Sequence, residues 1–277
     1  MLRVRRRLAR WVAPDVQAEL QETRRKLRAS RRQLRTARAE LRDVQGRLAE
    51  LSYALPPEVE ETIARVRAEH LTYLKPNGLR ELASIVRDVE TANLPGLLIE
   101  AGTALGGSAI VMATAKSVGR PMKVYDVFGM IPPPTEHDGA DVHERYRKIS
   151  GGQAKGVGGE TYYGYRDDLY GEVTESFGRL GVPAADHNIE LIQGLFEDTI
   201  RLDEPVAFAH LDGDWYESTM TCLERIAPLL VPGGRIVLDD YYAWSGCRAA
   251  VDEYFADRGD FRLEHRSKLH VIRTPPE

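Results

Sequence analysis

Residues 97–110 read LLIEAGTALGGSAI, and this stretch limits what the chain can fold into more than any other. Three apolar residues lead to Glu100, and then Gly102, Gly106, Gly107 and Ser108 interrupt the run before a second apolar stretch begins. The pattern predicts a strand that stops abruptly and turns into a helix. Glycine at such a turn permits positive φ and a close approach of backbone to a ligand, while the amides at a helix start favour a polar or anionic group. The spacing E-x-G-x-x-x-G-G differs from the G-x-G-x-x-G of a dinucleotide fold, and no Gly-Lys-Ser/Thr follows, which excludes a P-loop. The turn therefore reads as a nucleotide-type binding turn, with a purely structural turn as the alternative.

Alternating elements follow it. Helices are expected at 58–67 and, after a turn at Pro76, Asn77 and Gly78, at 79–90. The glycine turn leads into a helix at 108–118 and a strand at 122–127, with Asp126 near its end. An acid there, about twenty residues beyond the glycines, suits a ribose hydroxyl pair, or else caps the next element. A helix at 167–180, a strand at 189–193 and a loop at 194–199 come next. They are followed by strands at 206–211 and 235–238, helices at 217–230 and 247–258, and a hairpin of 263–267 with 269–273. Five β/α units and an antiparallel hairpin predict an α/β class, Rossmann-like fold with a seven-stranded sheet.

The 277 residues suit one such domain plus an appendage, and the split is expected at 1–55 and 56–277. From Val16 to Leu55, Leu20, Leu27, Leu34, Leu41, Leu48 and Leu55 repeat every seven residues. Val16, Thr23, Ser30, Ala37, Val44 and Leu51 fill the second register, giving a coiled-coil helix whose middle buries little apolar surface. A parallel homo-oligomer, a helix packed on the body and a single solvated helix all fit. Residues 1–50 hold 15 Lys/Arg against 6 Asp/Glu, and the rest 23 against 36. A basic arm on an acidic body points to an acidic partner surface and away from nucleic acid. Its start, MLRVRRRLARWVAP, suits peripheral contact with an anionic membrane or a solvated end. It lacks a signal-peptide core, no run approaches a membrane span, and Cys222 and Cys247 form no CxxC, so a cytoplasmic location is expected.

Residues 128–165 break the rhythm, with three consecutive prolines, Glu136, His137, Asp138, Asp141 and His143, and the run GGQAKGVGGETYYGY. Nearly forty residues far exceed the roughly 2–6 of an ordinary βα loop, which marks a lid or a substrate-selecting insertion. Acids end two later strands: AFAHLDGDWYEST supplies Asp212 and Asp214, and RIVLDDYY supplies Asp239 and Asp240. Ligands of open α/β sheets bind beyond these carboxyl ends. Like charges gathered there call for a cation, and oxygen-only ligands favour Mg²⁺ over Zn²⁺. Helix capping and solvation are the alternative for each acid.

The glycine turn resembles the first motif of class I S-adenosylmethionine-dependent methyltransferases. With HLDGDWYEST, GGRIVLDDYYAWSGCRAAVDEYF and GLFEDT, it makes residues 70–275 similar to the macrocin O-methyltransferase family of sugar O-methyltransferases. That resemblance implies Asp212, Asp239 and Asp240 as Mg²⁺ ligands. It implies Glu100, Gly102, Gly106, Gly107, Ser108, Asp126 and Asp198 as contacts of S-adenosylmethionine, with Thr72 and Tyr73 closing over its methionine end. The expected reaction is Mg²⁺-dependent methyl transfer to a hydroxyl of a sugar or glycan, with Asp212, Asp214, His137 or His143 accepting the proton. His210 reads as an interior histidine. A non-catalytic coiled-coil scaffold or a nucleotide-sugar-binding protein is the competing reading. The insertion and the arm depart from the family pattern, so the acceptor stays open.

Overall fold

The computed structural model describes residues 19–31, 33, 34, 36, 37 and 55–275, in two compact units, Met1–Leu48 and Ala49–Glu277. In the first unit, residues 19–31 form helix α1, and 33, 34, 36 and 37 are also helical. Leu20, Leu27 and Leu34 stand about half exposed on it at the expected spacing, and Lys26 pairs with Glu22 at 2.7 Å. The seam positions Val16, Leu41, Val44, Leu48 and Leu51, and the basic start, lie outside the described residues.

The second unit is built on a seven-stranded sheet. Strands β1 (Leu97–Ala101), β2 (Met122–Asp126), β3 (Ile189–Gln193), β4 (Val206–Leu211) and β5 (Leu230–Leu238) run parallel. Strand β7 (Leu269–Arg273) pairs antiparallel with β5 and with β6 (Phe261–His265), giving the order β3-β2-β1-β4-β5-β7-β6. The chain reverses its progress across the sheet between β1 and β4, which makes their carboxyl ends the switch point where ligands of such sheets bind.

Both faces are covered, which is why the central strands read as continuous apolar runs. Helices α2 (Pro57–Ala68), α3 (Pro76–Thr91), α4 (Gly107–Ala115) and α6 (Leu169–Arg179) pack with Leu98, Val124, Phe208 and Val237. On the other face α8 (Tyr216–Ile226) and α9 (Ser245–Tyr254) pack with Ile99, Ala209, Leu211 and Leu238. Several boundaries differ from expectation, β5 among them, which begins at Leu230 where a helix was expected to end. Pro76, Asn77 and Gly78 open α3 instead of forming a turn, because proline without its N–H is tolerated at a first helical position. Helix α4 stops at Ala115, where Lys116 turns extended and its ammonium bonds the carbonyls of Ser117 and His187. Phe196–Thr199, expected as loop, forms the single turn α7.

The 128–165 insertion carries α5 (Ala140–Ser150) and a small core of its own, in which Ile131, Val142, Ile149 and Tyr162 pack with Trp215. It is tied to the sheet's helices at three points. Asp138 Oδ1 accepts the Tyr216 amide at 2.9 Å, Asp141 Oδ2 accepts the Ser245 amide at 3.0 Å, and the Trp215 indole donates to the Pro132 carbonyl at 2.9 Å. Tyr216 and Ser245 begin α8 and α9, so the two aspartates satisfy first-turn amides left open by the helices themselves. Asp138→Ala is expected to cost about 1–2 kcal/mol, the range for a lost helix cap, and to speed proteolysis within 128–165. An unchanged cleavage rate would show that the insertion is held without it.

Candidate active site

The switch point assembles from β1 outward. Gly102 lies at φ +89°, and a Cβ on it would stand 2.0 Å from the Asp212 carbonyl oxygen. Glycine is therefore required here by the approach of β4, beyond any need of a ligand. Gly106, also at positive φ, packs against Val173, and the Gly107 amide donates to the Leu71 carbonyl at 2.9 Å. The Gly106 amide reaches the Thr103 carbonyl. The amides of Thr103 and Ala104 donate to Asp126 Oδ2 at 2.7 and 2.9 Å, and that of Phe128 to Oδ1 at 2.8 Å. The turn's amides, expected to be open to a ligand, are thus largely taken by the protein itself. Burial raises the Asp126 carboxyl above its usual range, against the pull of those three amides.

Behind the turn a line of buried polar side chains crosses the sheet. Ser108 Oγ donates to Glu100 Oε1 at 2.5 Å. His210, expected as an interior histidine and almost fully buried, stands 3.4 Å from Glu100 and 3.6 Å from Asp239, which are ion-pair rather than hydrogen-bond distances. Burial opposes its protonation, but these two carboxylates prevail and raise its pKa to about 10. Lys268 completes the line, 2.6 Å from Asp239 Oδ2. Burial opposes ionisation of Asp239, yet His210 and Lys268 lower its pKa to about 2.

The other acids behave oppositely. Asp212, Asp214 and Asp240 each offer a carboxylate oxygen within 4.8 Å of the others. Burial and mutual repulsion raise Asp212 and Asp240 well above the carboxylate range, and burial with the charges of Asp212 and Asp239 raises Asp214 to about 8. The Asp214 amide donates to Asp240 Oδ2 at 3.0 Å, with Asp214 itself held at φ +57°. These three carboxylates form the oxygen-only cluster among the described residues, and Asp239 is set apart from it by its partner Lys268.

A cavity of about 360 Å³ lies over this rim. Of the residues expected in the site, Tyr73, Gly102, Asp126, Asp212, Asp214, Asp239 and Asp240 line it. Glu100, Gly106, Gly107, Ser108 and Thr72 are not among its lining residues. Asp198 lies exposed on α7, whose neighbouring Glu197 lines the cavity in its place. His137 is exposed and stacks on Tyr216 at 4.7 Å, and His143 Nε2 lies 3.1 Å from the Thr135 carbonyl, so neither histidine is brought to the acids. Residues not expected from sequence complete the lining: Arg145, Tyr162, Tyr163, Trp215 and Trp244 among them. Trp215 and Trp244 directly follow the two acid motifs, and Tyr162 and Tyr163 belong to the TYYGY run. Arg145 had no comparable signal.

Residues 68–260 match the model of the Macrocin-O-methyltransferase (TylF) family. An 8-demethyl-8-(2,3-dimethoxy-alpha-L-rhamnosyl)-tetracenomycin-C 4'-O-methyltransferase of Streptomyces olivaceus is 34% identical over 186 residues, 64% of this chain and 66% of that protein. A demethyldecarbamoylnovobiocin O-methyltransferase of Streptomyces niveus is 31% identical over 188 residues, 65% and 66% respectively. The chain thus spans just under two thirds of the length of these two curated relatives. The solved structure of the O-methyltransferase NovP superposes with a TM-score of 0.60 at 29% identity, covering 76% of this chain and 88% of that one. The calicheamicin methyltransferase CalS11 shares the fold at 17% identity, with a TM-score of 0.54, over 80% of this chain and 94% of that one.

The unlike acids make a stability test. A carboxyl raised from 3.8 stabilises the fold at low pH and loses that contribution as pH climbs through its folded pKa, about 8 for Asp214. His210, raised from 6.5 to about 10, acts in the same direction. Asp239, lowered to about 2, adds a constant contribution above pH 4. Metal-free protein is therefore expected to melt lower at pH 8.5 than at pH 6. Asp240→Asn should flatten that slope without loss of stability. Asp239→Asn should cost about 3 kcal/mol at both pH values by stranding Lys268. Equal loss in the two variants would overturn the distinction.

Proposed function

The chain belongs to the macrocin O-methyltransferase family, and from that premise we propose that it transfers a methyl group from S-adenosylmethionine to a hydroxyl of a sugar or sugar-bearing acceptor, with Mg²⁺ bound. The observation that carries this reading is the cluster of Asp212, Asp214 and Asp240 facing the glycine turn across one cavity. Relatives of the family act on rhamnosyl and novobiocin-type compounds by their names, which supports a sugar acceptor here.

Tyr73, Gly102, Ala104, Asp126 and Glu197 line the cavity and would hold S-adenosylmethionine. The donor set fits a hard divalent cation: all ligands are oxygens, burial and like charge hold Asp212 and Asp240 above the carboxylate range, and Asp239 Oδ1 is buried with no hydrogen-bond partner. Asp212, Asp239 and Asp240 would hold the ion, with Lys268 and His210 orienting Asp239. A bound dication lowers the pKa of a coordinated hydroxyl. The remaining acid of the cluster, Asp214, accepts the hydroxyl proton. Trp215 and Trp244, edge to face at 5.8 Å, offer apolar surface to the acceptor and keep water from the reacting oxygen.

Asp214→Asn is expected to lower methyl transfer by about 10²–10⁴-fold, the usual worth of a general base, with S-adenosylhomocysteine affinity by calorimetry unchanged. EDTA treatment should abolish turnover and Mg²⁺ restore it. Full activity after EDTA would remove the metal from the reading, and tight binding of a UDP-sugar without S-adenosylhomocysteine binding would favour the nucleotide-sugar-binding alternative.

The arm has a separate role in this reading. Leu20, Leu27 and Leu34, exposed on α1 seven residues apart, support a homo-oligomer formed through a coiled coil. No helix among the described residues is long and apolar enough to cross a membrane. Removing residues 1–55 is expected to lower the molar mass by light scattering and leave methyl transfer to a small acceptor unchanged. Full-length protein that is monomeric at tens of micromolar, on the order of a weak dimer's dissociation constant, would overturn the coiled-coil assignment.

A further inference from the structure

Helix α5 of the insertion presents Val142 and Ile149 inward, both almost fully buried. Arg145 sits between them at steps of three and four, on the stripe where a core-facing helix ordinarily carries apolar residues. Arg145 lines the cavity, and it is the only Lys or Arg among the described residues that does so. A cation placed on an inward face loses hydration and calls for a partner. Among the described residues Arg145 has none: no hydrogen bond and no ion pair involves it.

Six carboxylates line the same cavity, so a counter-ion role for Arg145 would show as a pair with one of them. Asp126 is instead taken by three amides and Asp239 by Lys268. Nor can α5 swing freely to find a partner, since Asp141 is fastened to Ser245 and Val142 and Ile149 are packed into the insertion's core. Arg145 thus brings an unpaired planar donor fork to the cavity that Tyr162, Tyr163, Trp215, Trp244 and the acids also line. Such a fork matches the two oxygens of a carboxylate or phosphate, and the aromatic wall matches the apolar face of a sugar ring.

We propose that Arg145 binds an anionic substituent of the acceptor, so that this enzyme selects acidic sugars, carboxylated or phosphorylated, over neutral ones. The inference rests on the reading of the cavity as the sugar site of a methyltransferase, and it assigns the insertion the task of reading charge.

Trp215 and Trp244 report on the site by their fluorescence. D-glucuronate, D-glucose 1-phosphate and D-glucose are titrated into the full-length protein, with and without S-adenosylhomocysteine. At least one anion is expected to saturate the signal at about tenfold lower concentration than glucose, about 1.4 kcal/mol. Arg145→Gln should erase that preference and Arg145→Lys keep part of it, with melting temperature and S-adenosylhomocysteine affinity as checks on the fold. The anion that is preferred identifies carboxylate or phosphate as the source. Equal response to charged and neutral sugars, or a preference that survives Arg145→Gln, overturns the proposal. So does an Arg145→Gln protein that melts lower yet keeps the preference, which would make Arg145 a counter-ion to the acids. Failure to bind S-adenosylhomocysteine would instead count against the methyltransferase reading, because the charge preference is read without it as well.

Discussion

The approach of β1 to β4 at their carboxyl ends is the constraint on which the site depends. Asp212 donates its amide to the Ala101 carbonyl at 2.8 Å, and only the missing side chain of Gly102 lets the Asp212 carbonyl come as near as it does. The glycine turn and the first acid of the rim are therefore one structure. A side chain at 102 would push the acid away before it obstructed any ligand, so glycine turn and carboxylate cluster stand or fall together.

Electrostatics then divides four neighbouring acids into two kinds. Asp239 is stabilised by Lys268 and by the imidazolium of His210, itself held by Glu100. Asp212, Asp214 and Asp240 receive no comparable cation and keep raised pKa values. Burying like charges without compensation costs stability, and such sites persist where function uses the unresolved charge. The line from Ser108 through Glu100, His210 and Asp239 to Lys268 connects the glycine turn to the β6–β7 turn across the carboxyl ends of β1, β4 and β5. It fixes the orientation of Asp239, while Asp212, Asp214 and Asp240 have no such partner.

The insertion builds the opposite wall. Because Asp138 and Asp141 satisfy the first amides of α8 and α9, the insertion is attached to the same helices that follow the acid-bearing loops. Movement of one would be felt by the other. A free lid would lack that coupling, and the aromatic wall would not keep a constant distance from the acids.

Local pattern in the sequence determined the strand order of events: apolar runs ending at Glu100, Asp126, Asp212 and Asp239, the glycine turn, and the antiparallel hairpin after five β/α units. Each of these is written in neighbouring residues, and a parallel sheet brings all its strand ends to one rim, so the acids were legible as a group. Their separate fates were not. Lys268 reaches Asp239 across 29 positions, and Trp215 meets Pro132 across 83. Whether a carboxylate is paired or orphaned depends on such distant partners. The same holds for the placement of Arg145 in the cavity and of His137 and Asp198 outside it. Spacing along the chain sets which face of an element a residue occupies, and only packing between elements decides what that face meets.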